Sequence, residues 1–263
     1  MKALIFAAGL GTRLRPLTDN RPKALVPICG RPLLQILIEK LRDEGFSELV
    51  VNVHHFAQMI KDYLHENDNF GIDIRISDET DMLLETGGGV KKAAPLFTHD
   101  DAPFLIHNVD ILSNLPLGEF LASATQRTVE YKGIQQPASA TLMVNGRTSS
   151  RYLLFNHDNM LVGWTNTTTG EVKSPYPDLN PTECKRYAFS GIHVFSPSLL
   201  PLMEPWEGKF SIIDFYLSVC DRVPIYAEYS PTLQLLDVGK LDSIALAERF
   251  IEDSTIIEDS KVF

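Results

Sequence analysis

The first part of the chain alternates between short apolar runs and amphipathic segments. The runs KALIFAA, LVVNVHH, IDIRISD and FLIHNVDIL predict strands, most of them buried. The segments LLQILIEKLRDEGF, AQMIKDYL and GVKKAAPLF place apolar residues at helical spacing and predict helices. Strands that alternate with helices in this way indicate an α/β fold, with a parallel sheet covered on both faces.

The pattern becomes less regular in the second half of the chain. ASATLMV, RYLLFNH, MLVGW and YAFSGIHVF predict strands joined by polar turns, which indicates an antiparallel or mixed extension of the sheet. Two long polar stretches, residues 125–137 and 165–182, are predicted to be loops. LDSIALAERFIED predicts a helix in the C-terminal segment, 241–263.

The composition fits one globular domain and excludes several classes of function. With 263 residues, 44% of them hydrophobic, and no repeat or linker, the chain can bury a core as a single domain, 1–263. No apolar segment approaches the roughly 20 residues of a membrane helix, and the N-terminus does not resemble a signal peptide. We therefore expect a cytoplasmic protein without a membrane partner. The three cysteines lack the spacing of a disulfide framework or a zinc site. A net charge of −10 argues against a nucleic-acid partner, so any phosphate ligand must be held locally.

The stretch AAGLGTRLRP, after the first predicted strand, combines bare backbone with positive charge. Gly9 and Gly11 allow backbone N–H groups to face an anion without a Cβ in the way, and Arg13 and Arg15 add forked donors for phosphate oxygens. The stretch is not a dinucleotide fingerprint, because Leu14 stands at the third glycine, and no GK[ST] follows to make it a P-loop. An ordinary turn with solvated arginines is the alternative. Because α/β proteins bind ligands at the carboxyl ends of strands, a triphosphate explains all these features.

AAGLGTRLRPLT, followed by RPKALVPI, resembles the signature of the sugar-1-phosphate nucleotidyltransferases. The resemblance extends to LLETGGGV, NVDIL, FSGIHVFSP and LLDVGK, and so covers nearly the whole chain. It implies a Rossmann-like, mixed but mostly parallel sheet flanked by helices. In that fold the half 1–115 binds a nucleoside triphosphate and the half 116–240 binds the sugar phosphate. The first nucleotide contacts are then expected from Ala7, Ala8, Gly9, Gly11, Thr12 and Arg13.

In the reaction that this resemblance implies, a phosphate oxygen of a sugar 1-phosphate attacks the α-phosphorus of the triphosphate, and pyrophosphate leaves. Both reactants are anions, so fixed positive charge and a metal ion must offset their repulsion. We expect two catalytic residues: Lys23, between the incoming phosphate and the α-phosphate, and Arg13, on the β- and γ-phosphates. Taken alone, Lys23 is more simply interpreted as a surface lysine, and only the surrounding motif favours the catalytic role.

Two aspartates are the candidate metal ligands. Asp110 follows the apolar strand FLIHNV, at the sheet edge where the triphosphate is expected, and Asp237 follows LQLL in a similar position. Either alone is a common turn or cap residue, but the pair, with substrate phosphates and waters, suits Mg²⁺ as the cofactor. Two positions depart from the family pattern: Val109 replaces the usual glycine, and Lys240 stands where threonine is frequent.

LLETGGGV is the candidate contact for the base and ribose, since three consecutive glycines allow close approach of the backbone, although a flexible loop is the alternative. Similar loops occur in enzymes that uridylylate N-acetylmuramic acid 1-phosphate for cell-wall recycling, and related ones in guanylyltransferases and cytidylyltransferases, so uracil is favoured. Many glucose 1-phosphate enzymes of this family use a lysine in an EKP motif in this region. That lysine is missing here, which argues against a thymidylyltransferase. The expected nucleotide contacts here are Glu85, Thr86, Gly87 and Asn108. The expected sugar-phosphate contacts are Lys23, Arg151, Ser190 and Gly191, although a core strand with a bulge glycine also explains the last two.

The sequence thus predicts an Mg²⁺-dependent nucleotidyltransferase whose partners are a nucleoside triphosphate and a sugar 1-phosphate. UTP with N-acetylmuramate 1-phosphate is the first expectation, and a mannose or heptose 1-phosphate guanylyltransferase is the nearest alternative. A nucleotide-sugar sensor without catalysis is the alternative from a different class. The presence of all four charged site residues favours an enzyme. The oligomeric state stays open, with a monomer as one option.

Overall fold

The computed structural model describes residues 1–98 and 100–259. Within them the α-helices are α1 Leu33–Asp43, α2 Ala57–Glu66, α3 Glu85–Ala93, α4 Leu117–Gln126, α5 Leu200–Met203, α6 Ile212–Val219 and α7 Asp242–Asp259. The strands are β1 Lys2–Phe6, β2 Pro27–Ile28, β3 Arg31–Pro32, β4 Glu48–Val53, β5 Asp73–Asp78, β6 Phe104–Asn108, β7 Ile111–Ser113, β8 Thr128–Tyr131, β9 Ile134–Pro137, β10 Ala140–Asn145, β11 Arg151–Phe155, β12 Leu161–Asn166, β13 Val172–Lys173, β14 Lys185–Phe195, β15 Ile225–Tyr229 and β16 Leu235–Asp237.

Four parallel strands form the N-terminal half of the main sheet, in the order β6-β1-β4-β5. Ile5 in β1 pairs with Val51 in β4 on one side and with His107 in β6 on the other. Since parallel strands need crossover connections, the helices between them cover both faces of the sheet. The carboxyl ends of all four strands therefore meet at one edge.

The long strand β14 connects this half to the rest of the ten-stranded sheet. Its residues 192–195 run antiparallel to β6, and its residues 185–187 run antiparallel to β11. Strands β12 and β13 continue the sheet beyond β11, while β10 pairs with β14 on one side and with β15 on the other. Strand β14 thus carries Gly191, at the change of partners, towards the ends of the parallel strands.

The core consists of two apolar layers, one on each face of the sheet. Ile5 and Val51 point into the layer covered by α1, α2 and α4, whereas Leu4 and Val50 point into the layer covered by α3 and α6. This alternation is the period of two expected for strands buried on both faces. Because both faces are packed, the edge at the strand ends is where polar groups remain accessible.

The observed architecture is the expected α/β class, a mixed sheet flanked by helices, but four details differ. Residues 125–137, predicted to be a loop, contain the end of α4 and the hairpin β8-β9. In the predicted loop 165–182, β12 continues to Asn166 and β13 follows. Helix α3 begins at Glu85, earlier than the predicted segment, and α4 and α6 were not predicted. The C-terminal helix is observed as α7, and residues 260–263 of the predicted 241–263 lie outside the described residues.

No helix among the described residues is both long and apolar enough to span a bilayer.

Candidate active site

The carboxyl ends of the four parallel strands surround a cavity of about 360 Å³. Each of these strands contributes to it directly or through the residue that follows it, as the strand order predicts for a ligand site in an open α/β sheet. The lining residues are Phe6, Ala7, Ala8, Gly9, Lys23, Asn52, Glu79, Leu83, Glu85, Thr86, Asn108, Val109, Asp110 and Ser211.

The glycine-rich turn after β1 forms one side of this cavity, with Ala7, Ala8 and Gly9 in its lining. A Cβ added at Gly9 would meet no heavy atom within 4 Å, so the backbone there is open to a ligand. Gly11 plays a different part: it has φ +65°, and a Cβ there would lie 2.9 Å from Cγ2 of Thr18 and 3.1 Å from Cβ of Lys23. Gly11 is therefore required for the shape of the turn and for its packing against Lys23.

Thr12 and Arg13 lie in the 3₁₀ turn Thr12–Leu14, on the exposed side of the glycine-rich turn. Neither residue is part of the cavity lining, in contrast to Ala7 and Gly9. The Arg13 guanidinium nevertheless points towards the metal candidates, because Nη2 would lie 3.0 Å from a Cβ at Gly239.

Lys23 and Asp110 form an ion pair inside the cavity. The lysine side chain is only 9% exposed and the aspartate side chain 23% exposed. Lys23 lies in the 3₁₀ turn Lys23–Leu25, whose first residue follows the extended Pro22. A lysine so deeply buried needs a negative partner, and here that partner is a predicted metal ligand. The interpretation of Lys23 as a surface lysine is therefore wrong.

Asp237 lies beside Asp110, although the two are far apart in sequence. Strands β16 and β7 pair so that Asp237 faces Ile111, and the N–H of Val238 donates to the carbonyl of Asp110 over 2.8 Å. The Asp237 side chain is exposed and close to Gly239, where a Cβ would lie 2.6 Å from its Oδ1. The tertiary structure thus brings both predicted ligands to the rim that carries Lys23.

The described residues contain no group of three or more His, Cys, Asp or Glu side chains arranged to hold a metal ion. A cation at this rim would therefore take two protein carboxylates at most and draw its other oxygen ligands from substrate or water, which is the usual coordination of Mg²⁺.

The residues expected to contact base and ribose divide into two groups. Glu85, Thr86 and Asn108 line the cavity. Gly87 does not: its N–H donates to the carbonyl of Phe210 over 2.8 Å, and a Cβ there would collide with the Phe210 ring. Gly87 therefore fixes the start of α3 against the segment before α6. Its missing side chain makes room for another part of the protein and does not leave backbone open to a ligand.

The sugar-phosphate candidates are dispersed. Gly191 has φ +82°, and a Cβ there would lie 2.6 Å from Nδ2 of Asn108, so this glycine makes room for a cavity residue. Ser190 is 1% exposed, and its hydroxyl donates to the carbonyl of Met143 over 2.6 Å. The sequence predicts a direct contact between Ser190 and the sugar. In the structure the Ser190 hydroxyl is buried and stabilises the β14 bulge, so it does not face a cavity. Arg151 lines a second cavity of about 560 Å³.

Sequence reasoning missed the pair Asn52 and Glu79, which lie at the ends of β4 and β5 and line the cavity. Glu79 is 1% exposed, and its carboxylate accepts hydrogen bonds from the Asn52 amide and, over 2.9 Å, from the N–H of Leu84. Burial raises the pKa of Glu79, and these two hydrogen bonds oppose the rise. The rule that found Asp110, a polar residue directly after a strand, applies to Glu79 as well and would have found it.

The sequence profile described as nucleotidyl transferase matches residues 2–254 of this chain. The chain belongs to the nucleotidyl transferase family. That match covers both halves of the sheet and every candidate residue described above.

Among curated members of the nucleotidyl transferase family, the N-acetylmuramate α-1-phosphate uridylyltransferase of Neisseria meningitidis serogroup B is 41% identical over 115 residues, which is 44% of this chain and 49% of that protein. The UTP–glucose-1-phosphate uridylyltransferase of Synechocystis is 28% identical over 250 residues, 92% of this chain and 61% of that protein. A mannose-1-phosphate guanyltransferase of Gibberella zeae is 33% identical over 150 residues, 55% of this chain and 41% of that protein. The matches thus span about half the length of these relatives.

Solved structures of the family confirm the fold. HddC of Yersinia pseudotuberculosis, complexed with GMP-PN, superimposes with a TM-score of 0.70 at 20% identity, covering 95% of this chain and 99% of that one. A putative glucose-1-phosphate thymidylyltransferase of Bacillus anthracis gives a TM-score of 0.74 at 15% identity, covering 95% and 94%. The Rossmann-like, mostly parallel sheet expected from the sequence is therefore confirmed.

Proposed function

We propose that this chain transfers a nucleotidyl group from a nucleoside triphosphate to a sugar 1-phosphate, giving a nucleotide sugar and pyrophosphate. The observation that carries the proposal is the Lys23–Asp110 ion pair beside Asp237, in a cavity that Ala7 and Gly9 also line. A buried cation, two adjacent carboxylates and open backbone are what the reaction of two phosphate anions needs. Membership of the nucleotidyl transferase family supports the same conclusion.

In this reaction a phosphate oxygen of the sugar 1-phosphate forms a bond to the α-phosphorus, while the bond from that phosphorus to the pyrophosphate oxygen breaks. Lys23 offsets the repulsion between the two phosphates and orients the attacking oxygen. Its burial strengthens this role, because an ammonium group in a site with little water interacts more strongly with phosphate than a solvated one. Arg13, at the exposed rim, binds the β- and γ-phosphates and stabilises the charge of the departing pyrophosphate.

Mg²⁺ is the proposed cofactor, and Asp110 and Asp237 would hold it. The donor set fits, since hard carboxylate oxygens on two paired backbone segments suit this ion. The ion pair that Asp110 forms with Lys23 supports a charged carboxylate at this position. When bound, the ion would neutralise phosphate charge and hold the triphosphate in place.

For the substrates, we propose UTP and N-acetylmuramate 1-phosphate. The support is the level of identity to the Neisseria meningitidis uridylyltransferase, 41%, against 33% for the Gibberella zeae guanyltransferase, each over part of the chain. A guanylyltransferase is the second candidate. It is favoured by Glu79, which lines the cavity and whose two carboxyl oxygens suit the neighbouring N–H donors of guanine better than the single N–H of uracil.

A pyrophosphate-release screen tests the proposal. The four common nucleoside triphosphates would be combined with a panel of sugar 1-phosphates, with and without Mg²⁺, and we expect turnover with UTP and N-acetylmuramate 1-phosphate only when Mg²⁺ is present. Lys23→Ala and Asp110→Asn should each remove turnover and leave the circular dichroism spectrum unchanged. Lys132→Ala, in the β8-β9 turn, is the matched control for loss of a lysine.

Near-normal pyrophosphate release from Lys23→Ala or Asp110→Asn would refute the assigned roles. A blank screen with all substrates, combined with measurable nucleotide-sugar binding by calorimetry, would support the sensor in place of the enzyme.

A further inference from the structure

The second cavity, of about 560 Å³, lies next to the first, and Ser211 lines both. Its walls come from β11, β12, β13 and the N-terminal part of β14 on one side and from α6 on the other. Ser211 caps α6, with its hydroxyl accepting the N–H of Ile213 over 3.1 Å. A substrate bound at Lys23 in the first cavity can therefore extend past Ser211 into the second.

The second cavity is basic in a chain that is acidic overall. Its lining contains three basic side chains, Arg147, Arg151 and Lys173, and two acidic ones, Glu171 and Asp214, against a net charge of −10 for the whole chain. The cavity therefore carries about one excess positive charge. An excess of one matches a carboxylate, which carries one negative charge at neutral pH, better than a phosphate monoester, which carries nearly two.

The basic side chains differ in how far they are committed to protein partners. Lys173 forms an ion pair with Asp214 over 3.2 Å and lies above the Trp164 ring, 5.3 Å from its centroid. The Arg147 guanidinium donates to the carbonyl of Phe189 over 3.0 Å, which leaves its other N–H groups for a ligand. Among the described residues Arg151 has no side-chain partner, although its backbone N–H is held by Ser149 over 3.1 Å.

The position of these arginines separates them from the reacting phosphates. Lys23 and Asp110 line only the first cavity, and Arg147 and Arg151 line only the second. In the proposed reaction the 1-phosphate of the acceptor binds at Lys23, in the first cavity. The arginines therefore face another part of the sugar, where a bidentate guanidinium would recognise a planar carboxylate.

We propose that Arg151, supported by Arg147, is the specificity determinant for a carboxylate on the sugar, so that the acceptor is an acidic sugar 1-phosphate. This inference rests on the proposed nucleotidyl transfer and deepens it. Trp164 and Tyr152, which also line the second cavity, supply flat apolar surface for the sugar ring beside the arginines.

The experiment compares two acceptors, N-acetylmuramate 1-phosphate and N-acetylglucosamine 1-phosphate, with wild type and Arg151→Gln. The first differs from the second by a lactyl ether group, which carries the carboxylate. We expect the variant to raise KM for the acidic acceptor by about 10- to 100-fold, the usual loss for one charge-assisted hydrogen-bonded pair, with kcat nearly unchanged. KM for N-acetylglucosamine 1-phosphate, which has no carboxylate, should not change. Arg186→Gln, on the neighbouring strand β14 but outside both cavity linings, is the matched control and should change neither KM.

Three results would overturn the inference. Equal effects of Arg151→Gln on the two acceptors would mean that Arg151 binds a group they share. No effect on either acceptor would mean that Arg151 contacts no substrate. A wild-type preference for glucose 1,6-bisphosphate over the acidic acceptor would identify a phosphate as the second anion. Absence of wild-type turnover with every acceptor is a different outcome, since it would refute the nucleotidyl transfer itself.

Discussion

Replacing Gly191 by alanine isolates the contact between β14 and the cavity. Gly191 has φ +82°, and a Cβ there would lie 2.6 Å from Nδ2 and 3.2 Å from Cγ of Asn108. The left-handed backbone costs an alanine about 1–2 kcal/mol. Because a Cβ does not sit that close to a nitrogen to which it is not bonded, Asn108 must also move, and an unrelieved steric conflict of this kind adds about 1–3 kcal/mol.

The two terms together predict a loss of about 2–5 kcal/mol in the free energy of unfolding. For a chain of this size each kcal/mol lowers Tm by about 2–4 °C, so we expect a fall of about 4–20 °C in thermal unfolding. The displaced Asn108 also withdraws a polar group from the nucleotide cavity, and loss of one hydrogen bond should raise KM for the nucleoside triphosphate by about 2- to 10-fold.

Gly133→Ala is the matched control. Gly133 has a similar φ, +77°, but a Cβ there would meet no heavy atom within 4 Å, and the turn between β8 and β9 is not part of the nucleotide cavity. This variant should carry the backbone strain alone and lower Tm by a few degrees without changing KM. If Gly191→Ala matched Gly133→Ala in both Tm and KM, the argument that Gly191 makes room for Asn108 would be refuted.

Three further predictions concern pH and the metal rim. Burial lowers the pKa of His107 to about 4 and that of His193 to about 3, so between these values and about 6.5 the unfolded chain binds more protons and the free energy of unfolding should rise with pH. On acidification to pH 4 this free energy should fall by about 3 kcal/mol per histidine. His193→Leu should reduce the fall measured by urea unfolding, and an unchanged pH profile would contradict the prediction. Gly239→Ala places a Cβ 2.6 Å from Oδ1 of Asp237, so half-maximal activity should need several-fold more Mg²⁺; an unaltered Mg²⁺ titration would exclude Asp237 as a ligand. Arg13→Ala should raise KM for pyrophosphate in the reverse reaction by about 10- to 100-fold, and an unchanged value would remove Arg13 from the pyrophosphate site.

The strand-end residues illustrate how far sequence reasoning reached. An apolar run followed by a polar residue located Asp110, because parallel strands place their carboxyl ends at one ligand-binding edge. The same rule applies to Glu79, but its strand IDIRISD is less apolar than FLIHNV and indicates a buried strand end less clearly. The sequence predicts a loop at the hairpin β8-β9 for a similar reason: only Val129 and Tyr131 of strand β8 are buried, and no residue of strand β9 is.

Short motifs predict which glycines matter for the site, but not the role of each one. Gly9 leaves backbone open to a ligand, as expected, whereas Gly87 packs against Phe210 and Gly191 packs against Asn108. A glycine in a sequence indicates a Cβ that is not tolerated, a positive φ or backbone left open to a ligand, but not which of the three applies. Which atom occupies the space of the missing Cβ is decided by an element distant in the chain.

The class of fold, the ligand-binding edge of the sheet and the residue types suited to phosphate chemistry can be predicted from the chain, because period, turn residues and strand ends are local properties. Folding is what buries Lys23 against Asp110, brings Asp237 to them through the pairing of β16 with β7, and places Arg151 in a separate basic cavity. These relations join residues distant in sequence, and their distances follow from the packing of the whole sheet.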